Sequence, residues 1–447
     1  MNRLVFAGDE LSSLRGALMS QAPREAAAVV LVSVGKGAKG TRLLARDSLV
    51  VPPEGYLIQE PARLSFSPEI LVPVLKKARN EGWSLVLVHT HPFGGHVFFS
   101  AADDEGEAKL MPAIFGRAPD RPHGALVLGG DGFDGRLRWS PTSAVPIDSL
   151  TEAGERVRVY GKRAGDDSLN EAVLDRQIRA FGTAGQAMLR KLCVGIVGLG
   201  GLGSIVAEQL AHLGVGSFFL LDPETLESSN LNRVVGATDA DVGRGKAEVC
   251  AENIRRIHRD ASVQHVIGSA LREADARQLV DCDLVVGCTD SHGSRAVLNQ
   301  LAYQYYVPTF DLGVRIDADK GRITRVSGRV QMLAPRLGCL VCQGLLDPEE
   351  VRRDLLSPTE RARDPYIVGA NEPQPSVIAL NGVIASLGVT MLLGAVTGLP
   401  APRHQIYLGE RGLVRAVDPV PVPGCIVCSS RGALGRGDSW SMPWRLG

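Results

Sequence analysis

Apolar residues follow two rhythms along this chain. The runs AAAVVLVSVG and WSLVLVHTH predict strands, SPEILVPVLKKARNEG has helical spacing, and HGALVLGGDG predicts a strand entering a Gly/Asp turn. Residues 1–145 therefore read as one mixed α/β unit. Polar PTSAVPIDSLTEAGE then loosens the pattern, so 146–169 is expected to be a linker. From SLNEAVLDRQIRAFGTAGQAMLRKL onward, helix and strand alternate through CVGIVG, SIVAEQLAHLG, SFFLLD, GKAEVCAENIRRIH, SVQHVIG and CDLVVGCTD. That alternation predicts a parallel, doubly wound α/β sheet over 170–430, with 431–447 as a flexible tail.

A length of 447 residues exceeds one core and agrees with more than one domain. Forty-nine basic and 49 acidic residues cancel, so neither nucleic acid nor an anionic membrane is an expected partner. Eight cysteines in a chain this long make no disulfide scaffold, and the N-terminus lacks the apolar core of a signal peptide. A cytoplasmic location is expected. Ser376 to Leu399 is uncharged and long enough to cross a bilayer, yet Asn381, four glycines and missing aromatic or basic flanks favour a buried core helix.

The stretch HTHPFGGHVFFSAAD, residues 89–103, concentrates polar chemistry at the end of an apolar strand. On a strand His89 and His91 project to the same side. Two neutral imidazoles suit Zn²⁺, and Asp103 offers a third ligand that leaves a fourth position for water. A plainer alternative stands beside this: Ser100 as a helix N-cap, Asp103 near the positive helix end, and the histidines as polar strand-end residues. His-x-His-Pro, seven residues, then Ser-x-x-Asp resembles the JAMM (Mov34/MPN) metalloprotease motif. The resemblance implies a zinc-dependent isopeptidase acting after the C-terminus of ubiquitin-like proteins. Glu25, at the head of the first strand, would be the general base, and Ser100 would help hold the oxyanion.

The second motif is VGIVGLGGLGSIVAEQLAHLGVGSFFLLD, with Gly198, Gly200, Gly201 and Gly203 between strand and helix and Asp222 ending the next strand. Alone it fits any dinucleotide-binding unit, NAD included. Asn230, Arg233 and Lys246 follow, groups able to hold a triphosphate that NAD does not carry. Asp290 ends the strand of VVGCTDSHGSR, where a carboxylate suits Mg²⁺, and Arg176 lies upstream. This series resembles the ThiF/MoeB adenylyltransferases and the adenylation domains of ubiquitin-activating enzymes. The resemblance implies ATP and Mg²⁺, with Asp222 on the ribose, Asn230, Arg233 and Lys246 on phosphates, and Asp290 on the metal. Arg176 would reach the partner subunit's nucleotide in a homodimer.

GCLVC and GCIVC hold Cys339, Cys342, Cys425 and Cys428, either a closed Zn²⁺ site or redox pairs. The ThiF/MoeB resemblance implies structural zinc. Cys193, Cys250, Cys282 and Cys288 read as core residues, and the segment after the first pair lacks the cysteine that many relatives use to form a thioester. The expectation is a bifunctional enzyme for a ubiquitin-like β-grasp protein, with a conjugating enzyme as a further expected partner. The alternatives are activation of a sulfur-carrier β-grasp protein for cysteine, thiamin or molybdopterin sulfur transfer, and an NAD-dependent oxidoreductase with an inactive MPN scaffold.

Overall fold

The computed structural model describes residues 1–92, 97–130, 132–161, 171–357, 360 and 375–445. Two compact units emerge: residues 1–153, 159–164 and 435–440 form one, and 154–158, 165–434 and 441–447 the other.

The first unit contains β1 (Arg3–Ala7), β2 (Ala27–Lys36), β3 (Thr41–Val50), β4 (Tyr56–Glu60), β5 (Arg63–Phe66), β6 (Ser84–Thr90), β7 (His123–Leu128), β8 (Phe133–Ser140), β9 (Ser143–Pro146), β10 (Ser149–Ala153) and β11 (Val157–Gly161). Nine of these make one sheet, ordered β11-β10-β1-β3-β2-β6-β7-β8-β9, while β4 and β5 pair separately. Helix α1 (Glu10–Met19) covers one face and shares a core with Leu4, Phe6, Val30 and Val86. Helices α2 (Leu71–Glu81) and α3 (Ala101–Arg117) cover the other, against Val29, Leu31, Leu85 and Val127. Strand β2 is central, so its alternate residues enter two different cores. That explains its unbroken apolar run.

Two expectations need correction. The linker expected over 146–169 carries β10, which runs parallel to β1, and β11; residues 162–169 lie outside the described residues. Polarity misled because Ser149, Thr151 and Glu152 are polar yet buried. Glu152 earns its burial by accepting the Ser12 amide at 2.7 Å. The tail is also built into the fold. The Ser33 hydroxyl donates to the Gly435 carbonyl, and the Lys36 amide donates to Asp438 at 2.9 Å. In the second unit Met442 and Trp444 pack on Leu271, Ala276 and Val297.

The second unit contains β12 (Cys193–Val197), β13 (Ser217–Asp222), β14 (Ser262–Ile267), β15 (Leu284–Gly287), β16 (Thr309–Asp319), β17 (Arg322–Leu333), β18 (His404–Leu408) and β19 (Leu413–Ala416). Their order is β14-β13-β12-β15-β16-β17-β18-β19. The expected parallel sheet covers β14 through β16, whereas β17, β18 and β19 add in antiparallel pairs. The helices are α4 (Glu171–Lys191), α5 (Gly201–His212), α6 (Lys246–Ile257), the short α7 (Glu273–Ala276), α8 (His292–Gln304), α9 (Pro348–Leu355) and α10 (Ile378–Thr397).

Helix α10 has the length and composition to cross a bilayer, and half of its apolar window is buried inside this unit. Its glycines are where neighbours come close. A Cβ at Gly388 would lie 2.5 Å from Leu312 Cδ2 on β16, while one at Gly382 would meet nothing within 4 Å. Gly388→Val should therefore destabilise by about 1–3 kcal/mol through overpacking. Gly382→Ala should raise the melting temperature slightly by removing helix-interior glycine. Thermal unfolding of the two variants checks both, and equal effects would mean that α10 does not pack through Gly388.

Candidate functional site

The first cluster forms where β6 ends. His89 is its penultimate residue and sits between Ala27 on β2 and Val127 on β7. Thr90, projecting to the opposite side, accepts the Ala26 amide through Oγ1 at 2.9 Å and so fixes the residue after Glu25. Gln59 donates to the Glu25 carbonyl at 3.0 Å. Glu25 leads into β2, the second strand of the chain rather than the first, because β1 was not legible in the sequence pattern.

The donor atoms converge. The Nε2 atoms of His89 and His91 are 3.2 Å apart, and Asp103 Oδ1 is 3.0 Å from His89 Nε2. His91 Nε2 lies 3.5 Å from Asp103 Oδ2 and 3.7 Å from Glu25 Oε1. Two nitrogens bound about 2.0–2.1 Å from one tetrahedral zinc would be roughly 3.3 Å apart, so the spacing fits zinc. The plainer reading of Ser100 also holds: it caps α3 in a reciprocal capping box with Asp103. One carboxylate serves both ends. Asp103 Oδ2 accepts the Ser100 amide and hydroxyl, both at 2.7 Å, while Oδ1 faces His89. The Ser100 hydroxyl, which the resemblance assigns a part in holding the oxyanion, donates here to Asp103. The glycines expected to turn the chain back, at 94 and 95, lie outside the described residues.

Electrostatics separate the carboxylates. Burial raises the Glu25 carboxyl above its ordinary range, with His89 and His91 opposing. Burial pushes Asp103 the same way, but hydrogen bonds from His89, His91 and Ser100 outweigh it and hold the carboxyl well below its usual range. The Asp103 hydrogen bond raises His91. Missed in the sequence was Phe99, edge-on to His89 with ring centroids 6.3 Å apart and carrying the Arg136 guanidinium 3.9 Å over its ring.

The second cluster surrounds the glycine turn. Gly198 has φ +86° and a backbone pressed on Cys288 and Thr289, so its place requires glycine. A Cβ at Gly203 would collide with the Gly198 carbonyl oxygen. Gly200 caps α5, and Gly201 begins it against Arg233 and Asn381. Asp222 accepts the Leu199 amide at 2.6 Å and the Glu224 amide at 2.8 Å, and burial raises its carboxyl. Lys246 opens α6 with its ammonium 2.5 Å from Glu224. Asn230 is buried, its Oδ1 accepting the Glu227 amide at 3.2 Å. Asp290 is exposed just beyond β15, next to the Thr289 pressed on Gly198.

These residues gather at one edge. Arg176 does not join them: its neighbour Gln177 donates to the His212 carbonyl at 3.2 Å, at the far end of α5 from the glycine turn. The sequence reading missed Glu224 and Asn381, which touch Lys246 and Gly201.

Cys339, Cys342, Cys425 and Cys428 form the third cluster. Sulfur separations of 3.6 Å for Cys339–Cys342 and Cys339–Cys425, and 3.3 Å for Cys342–Cys428, are far too long for disulfides and close to the edges of a zinc tetrahedron. The amides of Val422 and Val427 donate to the Cys342 and Cys425 sulfurs at 3.3 and 3.4 Å, an arrangement that stabilises thiolates. Among the other cysteines, burial pushes the Cys250 thiol up to about 12 and raises Cys288 further, so both are poor nucleophiles at neutral pH.

The sequence profile of the ThiF family matches residues 174–411. The chain is 39% identical over 260 residues to the molybdopterin-synthase adenylyltransferase of Escherichia coli (strain K12), covering 57% of this chain and 94% of that one. It is 28% identical over 255 residues to the sulfur carrier protein ThiS adenylyltransferase of the same organism, covering 56% and 90%. Over 242 residues it is 31% identical to ubiquitin-like modifier-activating enzyme 5 of Oryza sativa subsp. japonica, covering 51% of this chain and half of that one.

The two donor clusters predict separable metal contents. Cys425→Ala should remove one zinc equivalent and lower the melting temperature, while His89→Ala should remove a different one with little effect on unfolding. Elemental analysis of the purified variants reads this, and a single shared loss would contradict two sites.

Proposed function

Since the chain belongs to the ThiF family, we propose that its second unit adenylates the C-terminal carboxylate of a ubiquitin-like or sulfur-carrier β-grasp protein. The observation that carries this reading is the glycine turn closed onto Cys288 and Thr289, which puts Asp290 beside the N-terminus of α5. Free amides at that helix end suit phosphate. Asp222, already fixed by two backbone amides, would orient the ribose, and Asn230, Arg233 and Lys246 would hold phosphates once Lys246 leaves Glu224. Asp290 would hold Mg²⁺, which supplies charge neutralisation.

Positioning does the rest. A carboxylate oxygen of the substrate bonds to the α-phosphorus as the bond to the bridging oxygen breaks, and pyrophosphate leaves with that electron pair. Arg176 would act on the nucleotide of a partner subunit, since within one chain it lies at the far end of α5. Burial leaves Cys250 and Cys288 poorly ionised, so neither thiol is suited to take over the adenylate as a thioester. The identity with the molybdopterin-synthase adenylyltransferase favours a sulfur carrier as substrate; similarity to the rice modifier-activating enzyme supports conjugation.

For the first unit we propose zinc-dependent cleavage of (iso)peptide bonds after such a C-terminus, supported by the convergence of His89, His91 and Asp103. Zinc there would supply a water acidic enough to attack a carbonyl near neutral pH. Glu25 would take that proton and return it to the leaving amine, a task suited to a carboxyl raised by burial.

Two experiments test these readings. ATP–pyrophosphate exchange should appear only with a β-grasp protein ending in glycine, and Asp290→Ala should cut it by about 10²-fold or more; exchange that survives the substitution would remove Asp290 from its role. Glu25→Ala should keep zinc bound yet stop cleavage of a β-grasp–peptide fusion, and loss of zinc instead would make Glu25 a ligand.

A further inference from the structure

The antiparallel extension of the second sheet carries a buried polar row. Asp311 on β16 pairs with Gln331 on β17, and Gln331 with His404 on β18. Directly opposed residues share a face, and Arg329, two residues from Gln331, shares it too. Arg329 Nη2 is 2.5 Å from Asp311 Oδ2, and its Nη1 donates to Gln331 Oε1 at 3.3 Å. Arg295 reaches over from α8, its Nε 3.5 Å from Asp311 Oδ1. A Cβ at Gly313 would lie 2.7 Å from Arg295 Nη2, so glycine there leaves room for the guanidinium.

This cluster is not self-satisfied. Two guanidinium groups face one carboxylate, leaving one positive charge in excess. The terminal amino groups of Arg295 make no hydrogen bond among the described residues, where its Nε donates only to the Thr289 carbonyl at 3.1 Å. His404 is 3% exposed, and neither ring nitrogen has a partner among the described residues. Burial and the nearby Arg329 lower the imidazole to about 4, so it is neutral and offers one donor and one acceptor. Buried polar groups left in this state call for an occupant.

The location says which occupant. Asp311 pairs with Gly287, the last residue of β15, and Arg295 is tied to Thr289, whose neighbour is Asp290. The row therefore begins on the strand next to β15, which leads to the residue that would hold magnesium, and lies on strands distinct from the glycine turn. A phosphate chain would bring several negative charges to a cluster with one spare positive charge. A single carboxylate on an extended polypeptide matches in charge and in fork geometry.

We propose that Arg295 and Arg329, clamped by Asp311 with His404 as the floor, form the subsite that receives the C-terminal carboxylate of the polypeptide to be activated; this rests on the adenylation reading above. The two arginines orient the carboxylate, and His404 hydrogen-bonds the last peptide group of the tail. These are positioning residues that set polypeptide affinity and leave nucleotide affinity alone.

The test uses the full chain in ATP–pyrophosphate exchange with sulfur-carrier and ubiquitin-like β-grasp proteins ending in Gly-Gly. Arg329→Gln should raise the KM for the protein about 10- to 100-fold, the scale of one charge-assisted hydrogen bond, with the KM for ATP unchanged. Arg329→Lys should recover part of the loss. Binding of the same protein as a free acid and as a C-terminal amide adds a second readout: wild type should prefer the acid, and Arg329→Gln should not. Arg295→Gln, which costs the Nε bond to the Thr289 carbonyl but leaves the Arg329–Asp311 pair in place, should show the same pattern even where Arg329→Gln fails to fold. An unchanged protein KM, a retained preference for the acid, or a matching loss of ATP affinity would overturn the subsite while leaving adenylation intact. A wild-type chain that exchanges with no β-grasp protein would remove both.

Discussion

A single buried carboxylate organises the nucleotide face of the second unit. Asp222 accepts one amide from the glycine turn, 23 residues earlier in the chain, and another from the segment after β13, joining the two. Without those bonds each amide would be unpaired at a partly buried edge, at a cost of about 1–3 kcal/mol apiece. The proposed ribose contact would fall on a carboxylate that these two amides already hold in place.

Asp103 repeats that economy in the first unit. Helix α3 needs an N-terminal acceptor network, and a metal needs a carboxylate near two imidazoles; one side chain answers both because its two oxygens point to different partners. The competing readings of the Ser-x-x-Asp motif are therefore not exclusive. The cap fixes the rotamer of Asp103, and a carboxylate held in one rotamer would lose less entropy on binding a metal.

The legible parts of the sequence were those with short-range periodicity or fixed spacing. His89, His91 and Asp103 converge as the motif implied, and so do the four cysteines, because ligand spacing encodes local turns. The glycine turn was equally readable, since Gly198 and Gly203 answer steric demands that only glycine meets. Strands β10 and β11 were not, because polar side chains buried by tertiary contacts imitate a linker. The tail misled for the same reason: its glycines suggest freedom, yet Ser33 and Lys36 bind it from more than 400 positions away in sequence. The Asp311–Arg329–His404 row was also invisible, as its members meet only through strand register.

The two donor clusters differ in what they leave unfilled. Four sulfurs fill a tetrahedron and leave no position for a reactant, so the cysteine cluster can stabilise but not catalyse. It ties the Leu340 turn to α8, where Asn299 accepts the Leu340 amide at 2.8 Å and Tyr303 donates to the Leu337 carbonyl at 3.0 Å. Gln331, in the middle of the polar row, donates to the Gly338 carbonyl of the same turn at 3.0 Å. A metal held by those thiolates would therefore brace the turn to which Gln331, and through it the polar row, is hydrogen-bonded. The histidine cluster supplies three donors and a carboxylate beside them, which leaves room for chemistry. The cysteine cluster is suited to holding a loop in place; the histidine cluster, if it bound zinc, would keep the open position that the proposed cleavage needs.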